Sequence, residues 1–435
     1  MENSSVIYQM FIRDYTKEGT FKKAEEKLEE VRKLDVDIIQ LLPFHPIGKI
    51  GRKGTYGSPY AIQDYEKVSE DLGTLEDLRS FVRKAHSLSM RVVMDVVFNH
   101  TSRDSKLLKT HPEWFYRNEK GEFANKVGDW SDVYDLNHSA KGLDEYLVSV
   151  LKKYVVEYGI DGFRFDVASL IPLDFYRLLR KTLDPVRDDL IYIGEAVDTA
   201  FLLESRSLGF VGNGQQELLD SGLDILYPYD IWQWFRGYLE NQTSDHKKAM
   251  ACLRQYEALF DLSQVSIAKD KNHVMSIENH DQRRLASYSK DRVKTMALLS
   301  YTFFPKGPAF LLMGEENLAE KQLDFFEKED IDLDIKDRKY YDFLLTNIKI
   351  KRRKKNDTLL VTWMHERDDE TLFLTNHYQD GSIELGVFPL GGKQSSIRLD
   401  KEYDGTYLDL LTQTEHTIKD GMLMDIDAPL ILSRI

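Results

Sequence analysis

Gly162-Phe163-Arg164-Phe165-Asp166-Val167 decides the reading of the whole chain. Its aromatic and β-branched residues, preceded by the turn pair Tyr158-Gly159, predict a short strand. Side chains two apart on a strand share a face, so Arg164 and Asp166 point one way and Phe163, Phe165 and Val167 the other. A guanidinium beside a carboxylate keeps it ionised and orients it, which suits a nucleophile that must be negative at neutral pH. Taken alone, an R-x-D pair more often serves as a structural ion pair at a strand end.

Working outward, three further apolar runs also end in charge. They are Val92-Val93-Met94-Asp95-Val96-Val97-Phe98-Asn99-His100, Leu190-Ile191-Tyr192-Ile193-Gly194-Glu195, and Val274-Met275-Ser276-Ile277-Glu278-Asn279-His280-Asp281. Helical periods separate the runs. Thr20 caps one helix (Phe21, Ala24, Leu28, Val31) and Thr74 another (Leu75, Leu78, Val82, Ala85). Further helices are expected over about 141–157 and 173–183. Strands are expected at Val6–Phe11, Ile38–Pro43, Leu223–Leu226 and Ala309–Met313. Eight strands alternating with helices predict an α/β (β/α)8 TIM barrel, whose chemistry lies at the C-terminal ends of its strands.

Residues 101–138 break the rhythm with polar and aromatic clusters, His111-Pro112-Glu113-Trp114-Phe115-Tyr116 and Trp130-Ser131-Asp132. A long connection of this kind inside a compact fold is usually functional, and it reads as a short excursion after strand three. From about residue 357 helices cease. Leu359–Trp363, Thr371–Leu374, Ser396–Leu399 and Leu430–Leu432 are short strands with Gly-containing turns between them, which predicts an antiparallel β-sandwich. The expected division is therefore 1–100 and 139–356 for the barrel, 101–138 for the excursion and 357–435 for the sandwich. The basic cluster Lys351-Arg352-Arg353-Lys354-Lys355 reads as a solvated helix end.

Composition narrows the function. The 435 residues suffice for one large unit and a smaller one, and a 42% hydrophobic content supplies the core. No apolar run approaches the length of a membrane span. Met1-Glu2-Asn3-Ser4-Ser5 leads straight into a strand with no signal-peptide pattern. Cys252 is the single cysteine, which fits a reducing cytosol. A formal charge of −14 argues against a nucleic-acid partner, while a neutral sugar polymer is not repelled.

The four charged runs, D-x-x-x-N-H, G-F-R-x-D, G-E and N-H-D, resemble in order four characteristic sequence regions of the α-amylase family of glycoside hydrolases. The resemblance implies a retaining reaction on α-glucosidic bonds of a malto-oligosaccharide or related α-glucan. It implies Asp166 as nucleophile, Glu195 as acid/base and Asp281 as the third carboxylate. Retention needs the first two carboxyls about 5 Å apart, and neighbouring strands lie about 4.8 Å apart. Glu195 has no cation next to it in sequence and follows an apolar run, so desolvation is expected to raise its pKa. His100 and His280 are implied to hydrogen-bond the sugar, and Tyr60 in Gly57-Ser58-Pro59-Tyr60 to stack beneath it. Arg164 is implied to bind at the same centre and Asp95 to support Arg164. Trp114, Phe115 and Trp130 are either substrate platforms or core.

Departures from the family pattern also matter. The Lys-His that follows the nucleophile in many secreted members is replaced by Val167-Ala168-Ser169-Leu170. Asp166-Val167-Ala168 resembles the neopullulanase and cyclomaltodextrinase branch, and Asp135-Leu136-Asn137 the oligo-1,6-glucosidase branch, so the preferred linkage stays open. No cofactor is expected. Asn99 matches one family calcium ligand, but one amide is far from the roughly six to eight oxygens calcium takes. The His-Pro-Glu-Trp-Phe stretch resembles that of maltosyltransferases, which keeps a transglycosylase or phosphorylase as the alternative. A non-catalytic sugar-binding relative is the reading from another class.

Overall fold

Two glycines let the strands around the diagnostic stretch close up. A Cβ on Gly162 would lie 2.3 Å from the Ile191 carbonyl oxygen, and one on Gly194 would lie 2.3 Å from Leu223 Cδ1. Only hydrogen fits at Gly162, where the obstacle is backbone, while a methyl group at Gly194 would have to displace the Leu223 side chain. In the computed structural model, which describes residues 3–128, 130–329 and 331–435, the chain forms two compact units. One is Tyr8–Asp230 with Leu323–Ile331, and the other is Met1–Ile7, Ile231–Gln322 and Asp332–Ile435. Met1 and Glu2 of the chain start, and Asp129 of the excursion, lie outside the described residues.

The strands up to residue 230 are β1 (Val6–Met10), β2 (Ile38–Leu41), β3 (Arg91–Val96), β4 (His100–Ser102), β5 (Val133–Asp135), β6 (Gly162–Phe165), β7 (Ile191–Ala196) and β8 (Ile225–Pro228). β2 pairs with β3, β3 with β6, β6 with β7 and β7 with β8, all in parallel register. Helices between them bury one face each. Leu75–Ser87 starts on a capping box between Thr74 and Asp77 and buries Leu78, Phe81, Val82 and Ala85. The helix begun at Phe21 breaks at Lys27 into Phe21–Glu26 and Leu28–Lys33.

The long strand expected through His100 splits in two. β3 ends at Val96, and His100 opens β4, which pairs antiparallel with β5 on the return of the excursion. The backbone of His100–Ser102 thus pairs with the return of the excursion and, through the Ser102 N–H, with the Ile62 carbonyl, rather than with the parallel sheet. Strand six also sits two residues later than expected, at Ile225–Pro228.

In the second unit, β9 (Asn272–His273) and β10 (Ala309–Leu312) are short, with a parallel bridge from Met275 to Ala309. The strand expected to run to Asp281 ends early. Buried Glu278 pairs with Arg284 at 2.7 Å and also takes the Leu285 backbone N–H, which folds the chain back before Asp281. The C-terminal strands are β11 (Leu359–His365), β12 (Thr371–Tyr378), β13 (Ile383–Pro389), β14 (Gln394–Arg398), β15 (Gly405–Asp409), β16 (Glu415–Ile418), β17 (Met422–Ile426) and β18 (Leu430–Arg434). They form a six-stranded sheet, β11-β12-β13-β18-β15-β16, and a two-stranded one, β14-β17, with antiparallel pairing throughout. Phe373, Leu385, Val387, Leu430 and Leu432 of the first share an apolar core with Ile397, Leu423 and Ile426 of the second.

The basic cluster is not a solvated helix end. Lys351 is 1% exposed and its Nζ donates to the Pro305 carbonyl at 2.7 Å. Arg353 and Lys355 converge on buried Glu384. Burial lowers the Lys351 pKa to about 7. A lysine near 10.5 when unfolded and near 7 when folded binds fewer protons in the native state between those values. Its burial therefore opposes folding less and less as pH rises from 7 towards 10. Lys351→Met is expected to remove that slope: guanidinium unfolding midpoints at pH 6.5 and 9.5 should differ less in the variant than in the wild type. An unchanged difference contradicts the buried ammonium.

Candidate active site

Arg164 organises the first unit's chemistry. It is 0% exposed in β6, directly beside Asp95 of β3 in parallel register. Its Nη1 lies 3.1 Å from Asp95 Oδ2 and 3.1 Å from Asp166 Oδ1, and its Nη2 lies 2.9 Å from Glu195 Oε2. Burial works against the guanidinium's charge, but Asp95, Glu195 and Asp166 outweigh it and hold its pKa well above the ordinary arginine value. Asp95, wholly buried, also accepts from Gln40 Nε2 at 2.7 Å and from the Tyr60 hydroxyl at 2.9 Å. The Tyr227 hydroxyl donates to Gln40 Oε1 at 2.7 Å, and the Arg164 guanidinium lies over the Tyr227 ring. Gln40 and Tyr227 were not among the residues singled out from sequence. A glutamine inside the buried run Ile38-Ile39-Gln40-Leu41 was the available signal, because a buried amide needs partners.

Asp166 and Glu195 keep 9% and 7% of their surface exposed, so each remains reachable. The Asp166 backbone N–H donates to the Val96 carbonyl at 2.9 Å. Val167, next in sequence, adopts φ 38° and ψ 47°, a left-handed conformation that a β-branched residue rarely takes. That turn aims its backbone N–H at Glu195 Oε2, 2.8 Å away. Glu195 has no cation next to it in sequence, but Arg164 reaches it across from the neighbouring strand, a contact that sequence adjacency does not show.

His100 is buried with its ring 5.1 Å from Trp130, and Asn99 Nδ2 lies 3.3 Å from its Nδ1. Burial, with the charge of Lys126, pushes its pKa down to about 3, so it is neutral at working pH. Of the excursion's aromatics, Trp130 is the one brought to His100. Trp114 and Phe115 are buried, with Trp114 stacked on His111. Trp130 and Phe201 pack on an apolar cluster of Val127, Val167, Leu170 and Val197, of which Val167 and Val197 closely follow Asp166 and Glu195 in sequence. Tyr60 holds Asp95 through its hydroxyl and meets Phe325 edge-on.

Asp281 and His280 belong to the other unit. There His280 Nε2 lies 3.2 Å from Asp281 Oδ2, and Asn279 Oδ1 accepts the Asp281 backbone N–H at 2.9 Å. The buried pair Glu278–Arg284 braces this turn, and neither residue was singled out from sequence.

The residues around Asn99 do not compose an oxygen cage for calcium. The Asn99 amide faces a histidine ring, and an ammonium stands among the candidate donors: Lys126 Nζ donates to the Leu136 carbonyl at 2.6 Å, its backbone N–H to Asp135 Oδ2 at 2.8 Å. A cation at that place repels a second one. Among the described residues no group of three His, Cys, Asp or Glu gathers to hold a metal. Turnover is expected to survive dialysis against EDTA unchanged. Loss on chelation with recovery on added calcium would contradict this reading.

Acidic groups at the ends of neighbouring parallel strands, neutral histidine and aromatic residues beside them, and a buried arginine holding the set define an enzyme of the class that acts on O-glycosyl bonds. The α-amylase catalytic-domain model matches residues 7–113 and 110–329, and the bacterial α-amylase C-terminal-domain model matches 349–432. The chain belongs to the α-amylase family and is an enzyme of it. Its fold class is a (β/α)8 barrel with a C-terminal antiparallel β domain. An α-amylase structure from Lactobacillus plantarum is 31% identical with TM-score 0.90, covering 100% of this chain and 99% of that one. A maltogenic α-amylase from Thermotoga neapolitana is 29% identical with TM-score 0.84, covering 100% and 99%. An α-1,4-glucan:maltose-1-phosphate maltosyltransferase from Myxococcus xanthus is 29% identical over 260 residues, 54% of this chain and 37% of the relative. The chain thus spans little more than a third of the length of that relative. Among the described residues no helix is long and apolar enough to cross a membrane.

Proposed function

We propose that the chain is a cytosolic retaining α-glucan hydrolase acting on malto-oligosaccharides. One observation carries this reading: Asp166 and Glu195 leave adjacent parallel strands and are held by the two terminal nitrogens of one guanidinium. Asp166 attacks the anomeric carbon and Glu195 protonates the leaving oxygen. While Asp166 is ionised, its negative charge beside Glu195 favours the protonated acid. Once Asp166 is esterified that charge is gone, and Arg164 with the Val167 N–H then favours the Glu195 carboxylate. The second step needs that base form, which activates water.

Asp281, braced by Glu278 and Arg284, is assigned the stabilisation of the oxocarbenium-like state. His100, as a neutral ring, and His280 bind sugar hydroxyls, Tyr60 supplies a ring face, and Asp95 positions Arg164. The division into a barrel (1–100 and 139–356), an excursion (101–138) and a sandwich (357–435) is part of the proposal. The single free cysteine, Cys252, fits the cytosol.

A second reading is transfer to an acceptor other than water. It is favoured by the maltosyltransferase relatives and shares every step up to the glycosyl enzyme. Incubation with maltotriose, panose, isomaltose and pullulan, with and without phosphate, separates the two. Hydrolysis products independent of phosphate are expected. Sugar phosphates, or longer oligosaccharides as the main products, favour transfer; no turnover of any of them removes the enzymatic reading of this site.

A further inference from the structure

The C-terminal sheet leaves part of its inner face uncovered. Phe373, Leu385, Val387 and Leu432 on this face are buried against β14 and β17. The register places Trp363 opposite Thr375, His365 opposite Phe373 and His377 opposite Ile383, all on the same face. Towards β11 the face runs out from under its cover, and Trp363 is 54% exposed.

What lies there is a row of rings rather than a simple apolar patch. The Trp363 indole lies 5.1 Å from the His365 ring at 24° and 6.5 Å from His377 at 38°. His365 continues to Phe373 at 4.8 Å. Thr375 Oγ1 sits 3.1 Å from His365 Nε2 and 2.9 Å from His377 Nε2, linking both imidazoles through one hydroxyl. Burial holds both histidines below their ordinary pKa, so the row is uncharged at neutral pH. Asp261 Oδ1 accepts the backbone N–H of Met364, the residue after Trp363, at 2.8 Å. The exposed indole is thus restricted by the His365 and His377 rings before anything binds, which lowers the entropy lost on binding. At the end of the row a cavity of about 490 Å³ opens, lined by His365, Arg367, Phe373, Arg398 and Asp400 among others.

We infer that this face is a second α-glucan-binding site, with Trp363 as its stacking platform and the cavity beside His365 receiving the neighbouring sugar units. The inference rests on the glucan reading of the barrel for its ligand class. Ring faces edged by imidazole and hydroxyl groups match a sugar, which presents C–H faces and a rim of hydroxyls. A polyanion finds an uncharged row on a chain of net charge −14. A second copy adding a strand to β11 finds the Met364 N–H already taken, with the helix His246–Ser266 packed along that strand.

The test is native electrophoresis of the full chain through gels with and without amylopectin. It uses wild type and Asp166→Asn, each with and without Trp363→Ala. Retardation by amylopectin is expected in both backgrounds and should weaken about tenfold with Trp363→Ala, the scale of one stacked aromatic. Maltotriose cleavage by Trp363→Ala should stay at the wild-type rate while amylopectin cleavage falls several-fold, and Trp363→Phe should restore most of the retardation. Equal retardation with and without Trp363 overturns the proposal, as does no retardation of the wild type. Maltotriose cleavage falling in step with retardation also overturns it, since the effect then lies in the fold or the barrel. A wild-type dimer in sedimentation equilibrium that Trp363→Ala dissociates, without glucan retardation, assigns the face to a second copy instead. Trp363-dependent retardation in a chain that cleaves no glucan upholds this site while the barrel reading fails.

Discussion

Asp166→Asn is expected to lower maltotriose hydrolysis by about four orders of magnitude or more, the scale seen when a covalent nucleophile is lost. No activated substrate should rescue it, because the missing group is the one that bonds to carbon. Glu195→Gln behaves differently. On maltotriose the loss should be on the order of 10²–10⁴, as for a general acid. An aryl glucoside with a good leaving group departs without protonation, so the first step should persist while the second, now lacking its base, slows. The glycosyl enzyme should accumulate, and azide, which needs no general base, should speed its breakdown to a product of retained configuration. The Glu195 carboxamide keeps an oxygen for the Val167 N–H, so the left-handed turn after Asp166 should survive the substitution. Azide rescue in Asp166→Asn to a product of retained configuration, with Glu195 carrying the glycosyl label, would instead reverse the two roles.

The second large effect belongs to Arg164. Three carboxylates share its two terminal nitrogens, and it is wholly buried. Arg164→Met leaves uncompensated negative charge in the interior and should destabilise the chain by about 3–5 kcal/mol. Arg164→Lys restores the charge but not the fork: one ammonium cannot hold Asp166 and Glu195 from two fixed directions. It should therefore recover much of the stability and little of the turnover. The acid limb of kcat/KM should also move to higher pH, since an ammonium that no longer donates directly to Asp166 favours its ionised form less than the guanidinium does. A lysine variant with wild-type kcat and pH profile contradicts the positioning role.

The sequence carried the strand–helix alternation because helices such as Leu75–Ser87 and Leu173–Leu183 have strong apolar periods and clear starts. Arg164 and Asp166 were legible as neighbours because a strand places i and i+2 on one face. What the sequence concealed is what lies across strands. Glu195 looks solitary in its own segment, yet the parallel register of β6 with β7 brings Arg164 to it. Gln40 and Tyr227 enter the network the same way, through buried hydrogen bonds between residues 187 positions apart. Strand seven was overextended because Ile277-Glu278 continues an apolar pattern, whereas the Glu278–Arg284 pair folds it back. The basic run at 351–355 looked solvated because nothing local announces Glu384 or the Pro305 carbonyl as partners. β13 and β15 to β17 were missed because they are short and mixed in polarity, and are held by pairing more than by pattern.

The central claim is a covalent intermediate on Asp166, and peptide mapping of the trapped enzyme tests it most directly. A 5-fluoro or 2-deoxy-2,2-difluoro α-glucoside with a reactive leaving group slows breakdown of the intermediate more than its formation. One added glycosyl mass is expected on the peptide containing Gly162–Val167, fragmenting to Asp166 and absent from Asp166→Asn. A label on Glu195, or no label together with inverted anomeric configuration in the first-formed product, would contradict it.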